Sequence, residues 1–260
     1  MDKKILEQYL SQKLNIEIFN ELDSTNNYLK KIGTKGEKEN KLVIALSQTG
    51  GRGRMGRSFY SPNGTGIYFS LLLHPKFSAG KSLFLTVMAA VSVAETVMKY
   101  NSNDVKIKWV NDIYIDGKKV CGILTEGAIN KDKKLDYAVV GIGINVIAPK
   151  KDFPDDIKNI ATAIFPGNQE EQIKEKIVAD VVNRFFKMYY GHDNDYVKRY
   201  KEYSYLTGKE INIISGDTTR HATVIDITDD CHLLVENEKG EIEEISSGDV
   251  SVRVVWKEEI

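Results

Sequence analysis

Four short stretches of this chain hold residue types at spacings that could do chemistry. Within Gly50–Arg57 stand four glycines and three arginines, with no acid among them. Glycine lets a backbone turn sharply and approach a ligand closely, and arginine presents a fixed fork of donors that suits phosphate or carboxylate. Such a loop could clamp a phosphorylated or carboxylated small molecule; taken alone, it could equally be a flexible basic surface loop. The second stretch, Lys108-Trp-Val-Asn-Asp112, is a polar cluster between apolar runs, where buried polar groups need partners. Lys118 and Lys119 follow it, and strand alternation points them to opposite faces, so only one can serve a given pocket. The third stretch places Gly141 and Gly143 two apart on one strand face, which marks the close approach of a ligand or of backbone. The fourth is Asp23-Ser-Thr-Asn26, whose residues can cap a helix and leave its unpaired N–H groups to a ligand as well.

The elements that must position these stretches follow from periodicity. Apolar spacing predicts helices over 3–14, from Asp23 or Ser24 to a stop at Gly33, over 82–100 and 169–190, and a shorter one to about Tyr205. Met88 and Met98 at that spacing are core residues. Strands are expected at 16–19, 42–46, 66–73 and 135–147. Asp116-Gly117 between alternating runs signals a hairpin. The strand 42–46 leads straight into the basic loop, which should therefore hang from a sheet edge. Residues 151–167 read as loop. From Gly208 the pattern changes to five short β-like runs (211–214, 222–227, 233–235, 241–245 and 250–255), a small antiparallel barrel. The expected domains are 1–207 and 208–260.

Composition narrows the class. The 260 residues carry a formal net charge of −1, which gives no whole-protein attraction to nucleic acid or to an anionic membrane. No apolar run is expected to reach membrane-spanning length, and the first residues start an amphipathic helix rather than a leader. Cys121 and Cys231 form no Cys-x-x-Cys pair, which favours a reduced, cytoplasmic chain. The four histidines fall in no zinc spacing. Neither a dinucleotide-binding glycine fingerprint nor a phosphate-binding P-loop motif is present.

Taken together, Gly51-Arg-Gly-Arg-Met-Gly-Arg57, Lys108-Trp-Val-Asn-Asp112, Gly141-Ile-Gly-Ile-Asn145 and the tail Ser247-Gly-Asp-Val-Ser-Val-Arg253 resemble, in order and spacing, the signature set of biotin–protein ligases. The likeness runs from about residue 16 to 256. It implies an α+β fold: a mixed-sheet catalytic domain of the class II tRNA synthetase and biotinyl–lipoyl ligase type, followed by a small Src-homology-3-like β-barrel. It also implies two-step chemistry, in which biotin and Mg·ATP give biotinyl-5′-AMP and pyrophosphate and the biotinyl group then passes to a lysine of a biotin carboxyl carrier domain.

Carried onto this sequence, the resemblance assigns Ser24, Thr25, Asn26, Gln48, Arg52, Gly53, Arg54, Lys119, Gly122 and Leu124 to biotin. Arg54, Arg57, Asn111, Asp112, Asn145 and Arg253 fall to ATP, with magnesium arriving on the nucleotide near Asp112. Arg54 and Lys119 are the catalytic pair, and the basic loop is a lid over the intermediate. Val110 stands where the family usually has proline, and Asp229-Asp-Cys-His232 replaces a turn that more often contains glycine. Only about fifteen residues precede the first catalytic strand, so a monofunctional ligase without a DNA-binding repressor domain is expected. Family members pair through sheet edges, which leaves a homodimer open. A lipoate–protein ligase and a non-catalytic nucleic-acid-binding module are the alternatives. The first lacks this arginine loop in its pattern, and the second would need a basic stripe interleaved with aromatics.

Overall fold

The computed structural model describes residues 1–167, 169–246 and 250–255. Of the tail motif, Ser247, Gly248 and Asp249 lie outside the described residues. The elements run α1 Lys3–Tyr9, β1 Asn15–Leu22, α2 Thr25–Thr34, β2 Lys41–Gln48, β3 Gly66–Leu73, α3 Leu83–Tyr100, β4 Val105–Lys108, β5 Asp112–Ile115, β6 Lys118–Ile129, β7 Leu135–Asn145, α4 Ile173–Tyr189 and α5 Tyr196–Glu202. Five strands follow: β8 Glu210–Ser215, β9 Thr218–Ile227, β10 Leu233–Asn237, β11 Ile242–Ile245 and β12 Val250–Val254. The fold is α+β. A seven-stranded mixed sheet has the order β1-β2-β3-β7-β6-β5-β4, with β1 and β2 parallel and the other pairs antiparallel. A five-stranded sheet of order β11-β10-β9-β8-β12 forms the C-terminal part.

The central strands read as continuous apolar runs because both faces of the large sheet are covered. Leu42, Ile44, Leu71, Leu73 and Val140 point into the larger core, under α3, α4 and α5. Val43, Leu72, Tyr137 and Val139 alternate to the opposite face and pack with Leu29 of α2. The helical segment Ala79–Tyr100 is long and apolar enough to cross a membrane, with mean hydropathy 1.4. No run of that length was expected. Its residues Leu85 to Ala94 are buried between the sheet and α4, as a core helix requires.

Three boundaries differ from expectation. The first helix ends at Tyr9 rather than near residue 14, because Asn183 of α4 caps it: Nδ2 donates to the Tyr9 carbonyl at 2.9 Å, and Oδ1 accepts from the Ser11 N–H at 2.8 Å. Leu10 and Leu14 still pack on the core, but from extended chain. Gly33 does not stop α2. It lies inside the helix against Tyr137, where a Cβ would come within 2.8 Å of the ring, and the left-handed turn falls to Gly36 at φ 90°. The basic loop does not leave a sheet edge, since β2 is flanked by β1 and β3.

The two sheets share packing. Trp109 Nε1 donates to the Cys231 carbonyl at 2.9 Å, Tyr200 Oη donates to the Val110 carbonyl at 2.9 Å, and Lys201 pairs with Asp229 at 2.6 Å. The 229–232 turn, which departs from the family pattern, thus braces the Lys108–Asp112 segment. Cys231 takes φ 63° there, and the Trp109–Val110 peptide is cis.

Candidate active site

The site lies on the α2 face of the large sheet, and strand register lays it out in rows. Ser70, Gly141 and Leu124 are cross-strand neighbours in one row. Tyr68, Gly143, Gly122, Asp112 and Lys108 form the next, running across β3, β7, β6, β5 and β4. The glycines leave a depression in the middle of these rows. Side chains enter it, where ligand or backbone had been expected: a Cβ on Gly141 would lie 2.0 Å from Asn26 Oδ1, and one on Gly143 would lie 2.6 Å from the Phe59 ring.

Helix α2 delivers its first residues into this depression. Ser24 is the N-cap, accepting from the Asn27 N–H, and Ser24, Thr25 and Asn26 are each buried. The Thr25 N–H donates to Gln48 Oε1 at 2.9 Å. Ser70 Oγ lies 2.7 Å from both Thr25 Oγ1 and Asn26 Oδ1. Asn26 Nδ2 donates to the Leu124 carbonyl at 3.1 Å and to Glu126 Oε2 at 3.0 Å. Ser24, Thr25, Asn26, Gln48, Arg52, Gly122 and Leu124 surround a cavity of about 30 Å³, room for about two waters.

The basic loop folds back on itself as a hairpin. Gly53 N–H donates to the Arg57 carbonyl at 2.7 Å and Phe59 N–H to the Gly51 carbonyl at 2.9 Å, with a tight turn at Arg54–Gly56. Its missing counter-charge comes from β6. Arg52 lies 3.2 Å from Glu126 Oε1 and donates to Asn27 Oδ1 at 2.9 Å. Lys30 also meets Glu126, at 2.7 Å. Burial works against the ionised carboxylate, but the hydrogen bonds from Lys30 and Asn26 and the charges of Lys30 and Arg52 outweigh it, holding Glu126 below the ordinary carboxylate range.

A bulge places Lys119. Register shifts between Ile113 and Tyr114, so that Asp112 pairs with Gly122 but Tyr114 with Lys119. The shift turns Lys119 onto the same face as Gly122, where its Nζ lies 2.8 Å from Asp112 Oδ1 and 5.9 Å from the Phe59 ring centroid. Lys118 is exposed. Gly53, Arg54, Asn111 and Asp112 join Lys119 around a second cavity of about 130 Å³. A third, of about 610 Å³, opens beside it and is lined by Arg57, Asn145 and Arg253 among others. Phe59 borders all three. The Asn111 amide donates to the Ile123 carbonyl at 2.7 Å and the Asn145 amide to the Thr162 carbonyl at 3.0 Å, so each has one donor committed to holding backbone.

All fifteen sequence-derived site residues thus border these three cavities, which share Phe59 in their walls. Sequence reasoning missed Phe59, Ser70 and Glu126. Ser70 had a signal, as the one serine in a strand of apolar and aromatic residues; Glu126 had none until β6 and the loop came together. It also did not mark Ile157, Ile160, Ala161, Tyr60 and Tyr205, which line the largest of these three cavities. Among the described residues no group of three or more His, Cys, Asp or Glu side chains could hold a metal ion. Among the described residues Asp112 is the one carboxylate on these walls, and it is already paired with Lys119. Magnesium would therefore keep mostly phosphate and water ligands.

The geometry has counterparts in known proteins. Residues 18–145 match the Biotin/lipoate A/B protein ligase family, and residues 206–253 match the Biotin protein ligase C terminal domain. The Bifunctional ligase/repressor BirA of Bacillus spizizenii is 33% identical over 239 residues, covering 89% of this chain and 72% of that protein. The chain belongs to the biotin protein ligase family. A Biotin--[acetyl-CoA-carboxylase] ligase of Paracoccus denitrificans is 32% identical over 126 residues, 48% of this chain and 51% of that protein. The Aquifex aeolicus biotin protein ligase, solved in complex with biotin and ATP, superposes with a TM-score of 0.75 at 30% identity, covering 93% of this family member and 99% of that chain. Both sheets thus belong to an architecture already seen in a ligase of this family.

Proposed function

We propose that the chain activates biotin with ATP to biotinyl-5′-AMP and transfers the biotinyl group to a lysine of a biotin carboxyl carrier domain. In this reading residues 1–207 form the catalytic domain and 208–260 the C-terminal domain that completes the nucleotide cavity. The observation that carries it is the position of Lys119 on its bulge, between the glycine-floored cavity and the cationic one. A carboxylate whose apolar body lies over Gly122 and Gly143 meets an α-phosphate at that junction.

The bicyclic head of biotin lies among Ser24, Thr25, Asn26, Gln48, Arg52, Gly122 and Leu124. The cavity there is far too small for it at about 30 Å³, so Phe59 moves aside as the ligand enters. Lys119 exchanges part of its pairing with Asp112 for the substrate carboxylate. Gly53 and Arg54 close over the junction, and Arg57, Asn111, Asp112, Asn145 and Arg253 take the nucleotide. A carboxylate oxygen forms a bond to the α-phosphorus as the bond to the β-phosphate oxygen breaks, and pyrophosphate leaves. The fixed cations then offset two anions that repel and stabilise the charge developing in the transition state. Magnesium, when bound with ATP, screens the polyphosphate.

In the second step the neutral amine of the acceptor lysine attacks the mixed-anhydride carbonyl. A new C–N bond forms, AMP leaves, and the amine proton is lost to solvent. The closed arginine loop keeps water from the anhydride in the interval.

Biotin-dependent ATP–pyrophosphate exchange tests the reading. Exchange with biotin but not with lipoate, followed by labelling of an acetyl-CoA carboxylase carrier domain, is the expected result. Exchange with lipoate alone, or with neither acid, overturns it.

A further inference from the structure

Glu126 is a largely enclosed carboxylate to which neither the resemblance nor the roles above give a part. It follows Gly122 and Leu124 on the site face of β6 and pairs across β7 with Val139. Its side chain is 17% exposed, yet it borders none of the three cavities of the site. Whatever it does for a substrate must pass through its partners, and two of these line the cavity assigned to the head group. Oε2 accepts from Asn26 Nδ2 at 3.0 Å, and Oε1 lies 3.2 Å from Arg52, near the start of the basic loop. Lys30, one turn along α2 from Asn26, meets Oε1 at 2.7 Å.

The contact with Asn26 sets the polarity of the pocket. With Nδ2 committed to the Glu126 carboxylate and the Leu124 carbonyl, Asn26 turns Oδ1 to Ser70. A hydroxyl has one proton and an amide oxygen can only accept, so the Ser70 proton goes to Asn26. Ser70 Oγ then accepts from Thr25, 2.7 Å away, whose hydroxyl also has Gln48 Oε1 at 3.2 Å. In either case the Thr25 proton is used within the protein. Thr25 thus offers a ligand lone pairs, which suit a ring carrying N–H groups, such as the cyclic urea of biotin, and give nothing to a donor-free ring. A reversed Asn26 amide would set its oxygen against a carboxylate and a carbonyl, leaving the order of protons without its origin.

The contact with Arg52 sets the loop. Gly53 and Arg54 follow it directly, and the same guanidinium nitrogen donates to Asn27 Oδ1 at 2.9 Å. One side chain therefore pins the loop to both β6 and α2, and the carboxylate that receives it is the one that orients Asn26.

Resting on the function proposed above, we infer that Glu126 is a positioning residue that ties head-group recognition to the arginine loop. One oxygen fixes Asn26 for biotin, and the other holds Arg52 so that the loop stays over biotinyl-5′-AMP. Nucleotide binding does not depend on it, because the two larger cavities lie beyond its reach.

Glu126→Met tests this in the full-length chain, alone and combined with Asn26→Ala or Arg52→Met. Three quantities are read: the biotin dissociation constant by calorimetry, the release rate of biotinyl-5′-AMP after a single turnover, and the KM for ATP at saturating biotin. Alone, the substitution should weaken biotin and speed adenylate release by about thirtyfold each, the scale of a lost charge-assisted hydrogen bond. The KM for ATP should stay within about twofold of wild type, which also shows the variant to be folded. In the Asn26→Ala background the further loss of biotin affinity should shrink to less than about threefold, and in the Arg52→Met background so should the further gain in release rate. Biotin affinity or adenylate retention close to wild type in Glu126→Met overturns the inference. So do costs that add in either background, or a KM for ATP that rises together with the biotin constant. Wild-type protein that neither binds biotin nor shows biotin-dependent exchange would instead sink the functional reading itself.

Discussion

Gly141→Ala offers the most stringent test of how the site is built. The position is an ordinary strand residue of β7, so alanine meets no backbone strain there, and on the unfolded side it brings a gain of about 0.4–1 kcal/mol. Its cost comes wholly from collision. The new Cβ would stand 2.0 Å from Asn26 Oδ1 and 2.8 Å from Cγ, whereas non-bonded contacts are comfortable near about 3.5 Å. The amide must therefore withdraw by about 1 Å or more, yet it is held by Ser70 at 2.7 Å, the Leu124 carbonyl at 3.1 Å and Glu126 at 3.0 Å. Giving up those bonds at about 0.5–1.5 kcal/mol each, less the unfolded-state gain, leaves a net loss of about 2–3 kcal/mol.

The diagnostic experiment is a double-mutant cycle with Asn26→Ala, read by urea denaturation. With the amide gone, Gly141→Ala should cost less than about 0.5 kcal/mol or stabilise slightly, which makes the coupling about 2 kcal/mol. Calorimetry on Gly141→Ala should show biotin binding weakened about thirtyfold or more, the equivalent of roughly 2 kcal/mol. Additive costs in the cycle would refute the collision argument. Unchanged biotin affinity would refute the place assigned to Asn26.

Other perturbations have equally definite outcomes. Arg54→Gly removes a guanidinium fork from the wall around the junction, and biotinyl-5′-AMP should then escape; intermediate retained as in wild type in a single-turnover filtration assay would dismiss Arg54 as its keeper. Lys119→Ala should slow adenylation about a hundredfold, measured as initial pyrophosphate release, and a near-normal rate would remove Lys119 from the chemistry. Glu126 has a depressed folded-state pKa, so its contribution to stability is present above its ordinary value of 4.5 and is lost as pH falls through the lower folded value. Glu126→Gln should therefore flatten the acid side of the stability–pH curve measured by urea midpoints, and a curve parallel to wild type would count against the Arg52–Glu126–Lys30 cluster.

Much of the site could be read from the chain because its parts are local. A Ser-Thr-Asn run at a helix start and glycines packed among arginines need only a few neighbouring residues to reveal what they can do. Helix and strand periods likewise marked most of the elements. Failures arose where a distant group intervened. Asn183 shortens α1 from 172 residues away in sequence, and Tyr137 packs on Gly33 so that α2 runs through it. Residues 151–167 read as loop, so the place of Ile157 and Ile160 beside Tyr60 and Tyr205 on one cavity wall appeared only with the tertiary structure.

By itself, then, the sequence determined the inventory: an anion-clamping loop, a lysine on one of two strand faces, a glycine floor and a second β-rich domain. Each follows from residue type and short spacing. Only the tertiary structure decided how these meet. Register aligned Gly143, Gly122, Asp112 and Lys108 in one row, and a single bulge turned Lys119 onto it. Glu126 supplied the charge the arginine loop lacks. The physical reason is that alternation repeats every two residues, so one extra residue in one strand reverses a side chain's face, and local sequence patterns carry no record of which strand absorbs it.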